Sequence, residues 1–272
     1  MEIHPCGITN VENGDTYISV NTFDSSNPLL RRYKWGFIYE NEKELLDLLE
    51  DMEKKCNRKL ADKIEIGQGL NITKDHMLTK QTSNTVPYFI SENGAIYRWN
   101  SASFFVNKSV ANAKRRIPML ILPRGIGTHF CCFNEVSGFS ASYVEIYEKE
   151  KISDDEKLRI WLFCNSSLLW LLRECSGRTN LGGGMLKAEA TDLKTLPLCF
   201  DFPEISKIRK IYDDSKGMKL STNIREILQS DFHKRIDDIV FSYFGLPKEN
   251  SFVTELLLKK IGRRNVKSKS VK

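Results

Sequence analysis

The sequence has little of what marks a membrane, secreted or zinc-binding protein. None of its apolar runs approaches the roughly 18 residues that span a bilayer, and it does not open with the basic and then apolar segment of a signal peptide. Its seven cysteines are an odd number without C-x-x-C spacing, which argues against a disulfide framework and a structural zinc site. We therefore expect a cytoplasmic protein, in which the adjacent Cys131 and Cys132 are buried thiols.

Signatures of catalysis are missing as well. The chain has no G-x-S-x-G nucleophile motif and no G-x-x-x-x-G-K-[ST] phosphate loop, and its four histidines show no metal-binding spacing. Carboxylate-x-lysine triplets of the nuclease type occur in three predicted helices, rather than on a strand that could direct them at a metal: Glu53-Lys54-Lys55, Asp155-Glu156-Lys157 and Asp192-Leu193-Lys194. The residues therefore predict no catalytic, cofactor or metal site in this chain.

Charge is distributed unevenly along the chain. Hydrophobic residues make up 41% of the sequence and charged residues 28%, which is ordinary for a folded chain of one or two domains. Residues 66–134 carry eight basic and two acidic side chains, whereas residues 1–65 and 135–258 are each slightly acidic. The last fourteen residues carry seven basic side chains and no acidic one, so their charge of +7 alone is larger than the net charge of the whole chain, +6.

The basic stretch contains no acidic residue between Glu92 and Glu135. Six cations fall within it: Arg98, Lys108, Lys114, Arg115, Arg116 and Arg124. A locally basic segment on an otherwise acidic chain favours a polyanionic partner. The alternative is a solvated basic face without a partner.

Short alternating apolar segments predict strands in the first half of the chain. Residues 88–99 (YFISENGAIYRW) predict a β-hairpin whose type I′ turn is Asn93–Gly94, and residues 117–133 and 140–148 predict further strands. An amphipathic helix capped by Asn41 precedes them, with four apolar residues at helical spacing. These four are Leu45, Leu48, Leu49 and Met52.

The second half changes to helical periodicity. Ser153 and Glu156 form a capping box, and the following apolar run, residues 158–175, predicts one buried helix that stops at Gly177. A short helix from a Thr191 cap follows, then three longer helices: residues 203–214, 223–245 with Gly245 just past the end, and 249–264. The fold class is therefore α+β, a mainly antiparallel sheet followed by a helical subdomain.

Three segments together resemble a known family. They are NSSLLWLLRECSGRTNLGGGMLKAEATDLKTLPL (165–198), HKRIDDIVFSYFGLPKENSFVTELLLKKIGRR (233–264), and KIEIGQGLNIT (63–73), which is followed by strands with a basic P-R-G turn. This order is similar to the C-terminal target-recognition (specificity) domain of TaqI-like adenine-specific DNA methyltransferases, including those of type II restriction–modification enzymes. The resemblance covers roughly residues 58–264, and its first segment is the most specific.

The resemblance implies a domain organisation and a division of labour. Residues 1–57 would be a linker or the tail of a preceding methyltransferase domain, 58–200 the DNA target-recognition domain, 201–264 a C-terminal helical subdomain, and 265–272 a disordered basic tail. Family catalysis needs an S-adenosylmethionine loop and an (N/D)-P-P-(Y/F) tetrapeptide. The nearest match, Asn27-Pro28-Leu29-Leu30, lacks the second proline and the aromatic ring. We therefore expect the specificity part alone, with S-adenosylmethionine held by a catalytic domain that is fused or separately encoded.

The expected partners are that catalytic domain and double-stranded DNA, with no membrane. Lysines and arginines would neutralise phosphates, side chains in the major groove would read bases, and glycines without a Cβ would let backbone N–H groups approach phosphates. The candidate DNA-binding residues are Lys108, Lys114, Arg115, Arg116, Arg124, Arg178, Asn180, Gly182, Gly183, Gly184 and Lys187. For each of these, an ordinary solvated turn or flexible loop is the alternative.

Three other functions stay open from the sequence. The first is a restriction endonuclease with a cryptic metal site. The second is a stand-alone specificity subunit of a type I-like system, which the lack of an internal repeat disfavours. The third is a protein-interaction scaffold whose terminal helices dock a partner.

Overall fold

The chain is described by a computed structural model. It covers residues 2–3, 6–12, 15–20, 23–24, 43–56, 61–111, 116–178, 185–246 and 252–269. The predicted α+β class is confirmed, because the strands occupy mainly the first half and the second half is mainly helical. Asn41 and the segment Asn27-Pro28-Leu29-Leu30 lie outside the described residues.

Fifteen short strands occur in the described residues. In chain order they are β1 Glu2–Ile3, β2 Cys6–Glu12, β3 Asp15–Val20, β4 Phe23–Asp24, β5 Ile64–Gln68, β6 Met77–Leu78, β7 Thr85–Phe89, β8 Arg98–Trp99, β9 Phe105–Asn107, β10 Leu120–Leu122, β11 Gly125–Ile126, β12 Cys132–Asn134, β13 Phe139–Ser140, β14 Val144–Glu148 and β15 Leu186–Lys187.

Two mixed sheets form the β part. One has the strand order β5-β14-β10-β12-β8 and the other the order β13-β7-β9-β6, and each contains one parallel pair, β12 with β8 and β13 with β7. The other pairs within them are antiparallel, as the sequence predicts. Three two-stranded antiparallel sheets, β1-β4, β2-β3 and β11-β15, complete the set.

The predicted hairpin over residues 88–99 is wrong. Strand β7 pairs with β9 and β13, whereas β8 pairs with β12 in the other sheet. The connection between them is a 3-10 turn, Ser91–Asn93, closed by the Ile90 N–H donating to Asn93 Oδ1 at 2.9 Å. Gly94 follows with a φ of +74°, but Asn93 does not have a positive φ, so only one of the two residues that a type I′ turn requires has this conformation. Both strands find their partners far along the chain, which a local turn signal does not report.

Eight α-helices lie wholly within the described residues. They are α1 Lys43–Lys55, α2 Asp154–Cys164, α3 Ser167–Ser176, α4 Ala190–Thr195, α5 Ile205–Asp214, α6 Ile224–Gln229, α7 Asp231–Phe244 and α8 Phe252–Lys269. The three nuclease-type triplets lie in α1, α2 and α4, as predicted. None of these helices is long and apolar enough to cross a membrane.

The single buried helix predicted for residues 158–175 is two helices. Asn165 separates them, because its side chain accepts from the Cys131 N–H at 2.8 Å and donates to the Cys131 carbonyl at 2.9 Å. Ser166 then caps α3 through its hydroxyl, which accepts from the Leu169 N–H. The capping box of Ser153 and Glu156 at the start of α2 is confirmed.

The remaining helix boundaries differ in smaller ways. Ser230 caps α7 by accepting from the His233 N–H at 3.2 Å, and so divides the helix predicted over 223–245 into α6 and α7. The short helix α4 begins after Glu189 rather than at a Thr191 cap, because Asp192 accepts from the Glu189 N–H at 2.9 Å. Gly245 ends α7 with a φ of +71°, as predicted. Helix α8 extends to Lys269, beyond the predicted end at Arg264.

One large core joins the helices to the five-stranded sheet. The apolar face predicted for α1 is buried in it: Leu45, Leu48, Leu49 and Met52. Helices α3 and α7 contribute further buried side chains: Leu168, Trp170, Leu171, Ile239, Phe241 and Phe244. Cys131 and Cys132 are fully buried thiols, as predicted.

Candidate nucleic-acid interface

Two of the segments predicted to contact DNA lie side by side. The P-R-G turn leads into β11, which pairs with β15 so that Gly125 faces Lys187. Lys187 also exchanges two backbone hydrogen bonds of 2.9 Å with Arg178. The described residues on either side of the glycine-rich segment 179–184 are Arg178, which pairs with Lys187, and Met185, whose sulfur lies against Gly125. Three buried apolar residues hold the pairing together: Ile126, Leu186 and Ala188.

A carboxylate from the following residues joins the two segments. Arg124 donates from Nε and from a terminal nitrogen to the two oxygens of Glu189, at 2.7 and 3.0 Å. The Lys187 ammonium lies 2.8 Å from the same carboxylate. The hydrogen bond from Arg124 holds the pKa of Glu189 below its ordinary value. We call Arg124, Arg178, Lys187 and Glu189 the Arg124 cluster; with three cations and one carboxylate it remains net positive.

Buried charged groups support the turn from behind. Arg173 of α3 donates to the Pro123 carbonyl, and Arg264 of α8 donates to the Ile126 carbonyl. Arg264 also pairs with Glu174 at 3.1 Å, and Glu174 lies 2.7 Å from His129 Nε2. The side chains of Arg264 and Glu174 are only 3% and 1% exposed, so the pair is shielded from solvent. The backbone on both sides of Arg124 is therefore anchored to two helices.

Burial determines the protonation of this support. Desolvation lowers the pKa of His129, so its ring is neutral near neutral pH and can donate from Nε2 to Glu174. Desolvation also lowers the pKa of Arg173, to about 10, which leaves its guanidinium charged at neutral pH. Sequence reasoning missed this network. Its only local signal is a pair of charged residues, Arg173 and Glu174, inside an apolar helix.

Two other candidate residues do not belong to the Arg124 cluster. Arg116 pairs with Glu65 on β5, and its guanidinium lies 5.5 Å from the centre of the Tyr147 ring on β14. Lys108 follows β9 and donates from Nζ to the Ser83 carbonyl at 2.8 Å. Both side chains are exposed, so each remains available to a polyanion, but at a different part of the sheets.

Six candidates lie outside the described residues. They are Lys114, Arg115, Asn180, Gly182, Gly183 and Gly184. Their roles remain predictions.

A serine, a histidine and an aspartate also meet in the core. The Ser167 hydroxyl lies 2.9 Å from His233 Nε2 and donates to Asp237 Oδ2 at 2.5 Å, and Asp237 Oδ2 lies 3.3 Å from the same Nε2. A catalytic triad requires the serine and the carboxylate on opposite ring nitrogens. Here both share one nitrogen, and Ser167 and His233 are fully buried. The arrangement therefore joins α3 to α7 and does not form a nucleophile. No group of three or more metal-ligating side chains occurs among the described residues.

Comparison with known proteins identifies no relative of this chain. The chain matches no protein-family model, and no curated protein is significantly similar to it.

Proposed function

We propose that this chain is the sequence-specific DNA recognition module of an adenine-N6 DNA methyltransferase in a cytoplasmic restriction–modification system. The motif resemblance over residues 58–264 suggests this function. The observation that carries it is the Arg124 cluster, in which the basic P-R-G turn pairs with Lys187 and Lys187 pairs with Arg178. S-adenosylmethionine and the methyl-transfer chemistry belong to a catalytic domain, fused or separate.

The cluster has the physical properties that DNA recognition needs. Lys187 and Arg178 can neutralise phosphates and release counterions, which provides affinity without sequence preference. Glu189 engages one edge of the Arg124 guanidinium and so fixes its plane. A fixed guanidinium can present its remaining N–H groups to the O6 and N7 acceptors of a guanine. The buried contacts of Arg173 and Arg264 restrict movement of the turn that carries it.

The experiment combines binding and salt dependence. Selection from a random duplex library, followed by gel-shift titration at several salt concentrations, measures the affinity, the preferred sequence and the salt slope. The double variant Arg178→Gln/Lys187→Gln is expected to bind more weakly to all sequences and to reduce the slope of log K against log salt by about 1.8, or about 0.9 for each phosphate contact.

Arg209→Gln is the matched control. Arg209 is an exposed arginine on α5 that pairs with Asp155, so its loss removes a charge outside the cluster. Equal affinity and equal slope for the double variant and the wild type would refute the assignment of this surface.

A further inference from the structure

A cleft of about 390 Å³ opens beside the Arg124 turn. Its walls are the 3-10 turn Ser91–Asn93, the P-R-G turn, Tyr143 and the segment around Lys219. This volume is within the range of small-ligand sites, about 300–1,000 Å³. Neither the basic turn nor the glycine-rich segment explains why a cleft is present here.

The cleft presents an aromatic ring in a fixed orientation. Tyr143 is half-buried and packs edge-on against Phe89, with the ring centres 5.2 Å apart and the planes at 80°. Phe130, which also lines the cleft, lies behind it with its ring centre 6.3 Å from that of Tyr143. A ring held in this way can stack on a nucleobase, and such contacts tolerate any base.

Two cations from distant parts of the chain, Arg124 and Lys219, also line the cleft, together with one carboxylate, Glu92. Arg124 is oriented by Glu189, as described above. Lys219 is exposed, but its backbone is held in place, because residue 219 forms a β-bridge with Ile96 and the Leu220 N–H donates to the Ala95 carbonyl at 2.9 Å. Cations beside an aromatic ring suit a ligand that has a phosphate and a base.

An exposed apolar side chain stands at the edge of this site. Met185 is 48% exposed and lies over Gly125, where a Cβ would be 3.2 Å from the methionine sulfur. Gly125 itself lines the cleft. An exposed methionine beside a basic turn is the kind of side chain that inserts between base pairs and unstacks them.

We propose that this cleft binds a nucleotide, with its base against Tyr143 and its phosphate at Lys219. The nucleotide comes either from a free mononucleotide or from DNA in which Met185 has displaced it from the stack. The DNA source rests on the proposed function, whereas the free source does not, so the two are tested separately.

The first arm uses AMP as the probe, by calorimetric titration of the full chain. Lys219→Gln is expected to weaken AMP binding about five- to tenfold, because it removes one charge-assisted contact to the phosphate. Adenosine, which has no phosphate, should bind the variant and the wild type equally. Lys216→Gln, an exposed lysine in the same segment that does not line the cleft, is the control and should bind AMP as the wild type does.

The second arm uses duplexes of the selected sequence with 2-aminopurine at each position in turn. A fluorescence increase at one position on binding is expected if a nucleotide leaves the stack. Met185→Ala should abolish the increase, and Met185→Leu should retain it because it keeps an apolar wedge.

The outcomes separate this proposal from the proposed function. A fluorescence increase identifies DNA as the source, and AMP binding without such an increase identifies a free nucleotide. AMP binding that Lys219→Gln leaves unchanged, or the absence of both signals, overturns the nucleotide site even if DNA binding persists. If DNA does not bind at all but AMP binds in a Lys219-dependent way, the proposed function fails and the nucleotide site stands.

Discussion

Arg124 and Glu189 are 65 positions apart in the chain, yet the guanidinium of one engages both carboxylate oxygens of the other, at 2.7 and 3.0 Å. Both side chains are mostly buried, with exposed fractions of 25% and 18%. A bidentate pair sets the plane of a guanidinium as well as its position. The pair therefore gives the Arg124 guanidinium one defined orientation.

Replacing Glu189 should separate affinity from specificity. Glu189→Gln removes the negative charge from the Arg124 cluster, so nonspecific DNA binding should become tighter, while the loss of the bidentate pair frees the guanidinium. We expect discrimination between the selected duplex and a scrambled duplex to fall about tenfold, the order of one bidentate base contact. Competition gel shifts measure both quantities. Glu204→Gln, an exposed glutamate paired with Lys207, is the control; unchanged discrimination in Glu189→Gln would contradict the orienting role.

Removing Arg264 should destabilise the fold and weaken DNA binding. Arg264→Met leaves the buried Glu174 carboxylate without its cationic partner and the Ile126 carbonyl without this donor. Breaking one side of a buried ion pair costs about 3–5 kcal/mol, which urea unfolding can measure. The adjacent exposed Arg263→Met is the control and should change stability by less than about 1 kcal/mol. Equal stabilities of the two variants would show that the buried network does not contribute to the free energy of unfolding.

Stability should decline in mild acid through His129. Its pKa in the folded protein lies below the ordinary 6.5 because the ring is buried. Below about pH 6.5 the unfolded chain therefore binds a proton that the folded chain does not, and the free energy of unfolding falls by up to about 1.4 kcal/mol per pH unit.

His129→Gln tests this pH dependence. The variant cannot take up that proton, so its unfolding free energy should change less between pH 7.5 and pH 5.5 than that of the wild type. Denaturant titrations at the two pH values provide the comparison. His76→Gln, at an exposed histidine, should keep the wild-type dependence. If the unfolding free energy of His129→Gln changes with pH as much as that of the wild type, His129 is not the source of the pH dependence.

Asn165 should stabilise the folded protein by more than an ordinary helix cap does. Asn165→Ala removes the hydrogen bonds to the Cys131 N–H and carbonyl and leaves both groups buried, at an expected cost of about 3 kcal/mol. Asn223→Ala removes an exposed N-cap of α6 and should cost only about 1 kcal/mol. Thermal and urea unfolding compare the two variants, and a cost no greater than that of Asn223→Ala would show that Asn165 does not hold the helix break in place.

Local sequence patterns predict the features that depend on neighbouring residues. The buried face of α1 follows from Leu45, Leu48, Leu49 and Met52 at helical spacing, the start of α2 from the Ser153–Glu156 capping box, and the end of α7 from Gly245. In each case the interacting groups are within a few positions, so the pattern contains the information. The α+β class follows in the same way from the change of period along the chain.

Which distant segments of the chain meet is visible only in the folded protein. The break between α2 and α3 depends on hydrogen bonds between Asn165 and Cys131. The predicted hairpin does not form because its two strands pair in different sheets. The Arg124 cluster depends on a glutamate 65 positions away from Arg124. Buried charges such as Arg264 are tolerated only because partners from other elements compensate for their desolvation. Those partners are distant in sequence, so no local pattern predicts them. Among the candidate cations, Arg124 and Lys187 share the Glu189 carboxylate, and Arg178 pairs with Lys187 through the backbone.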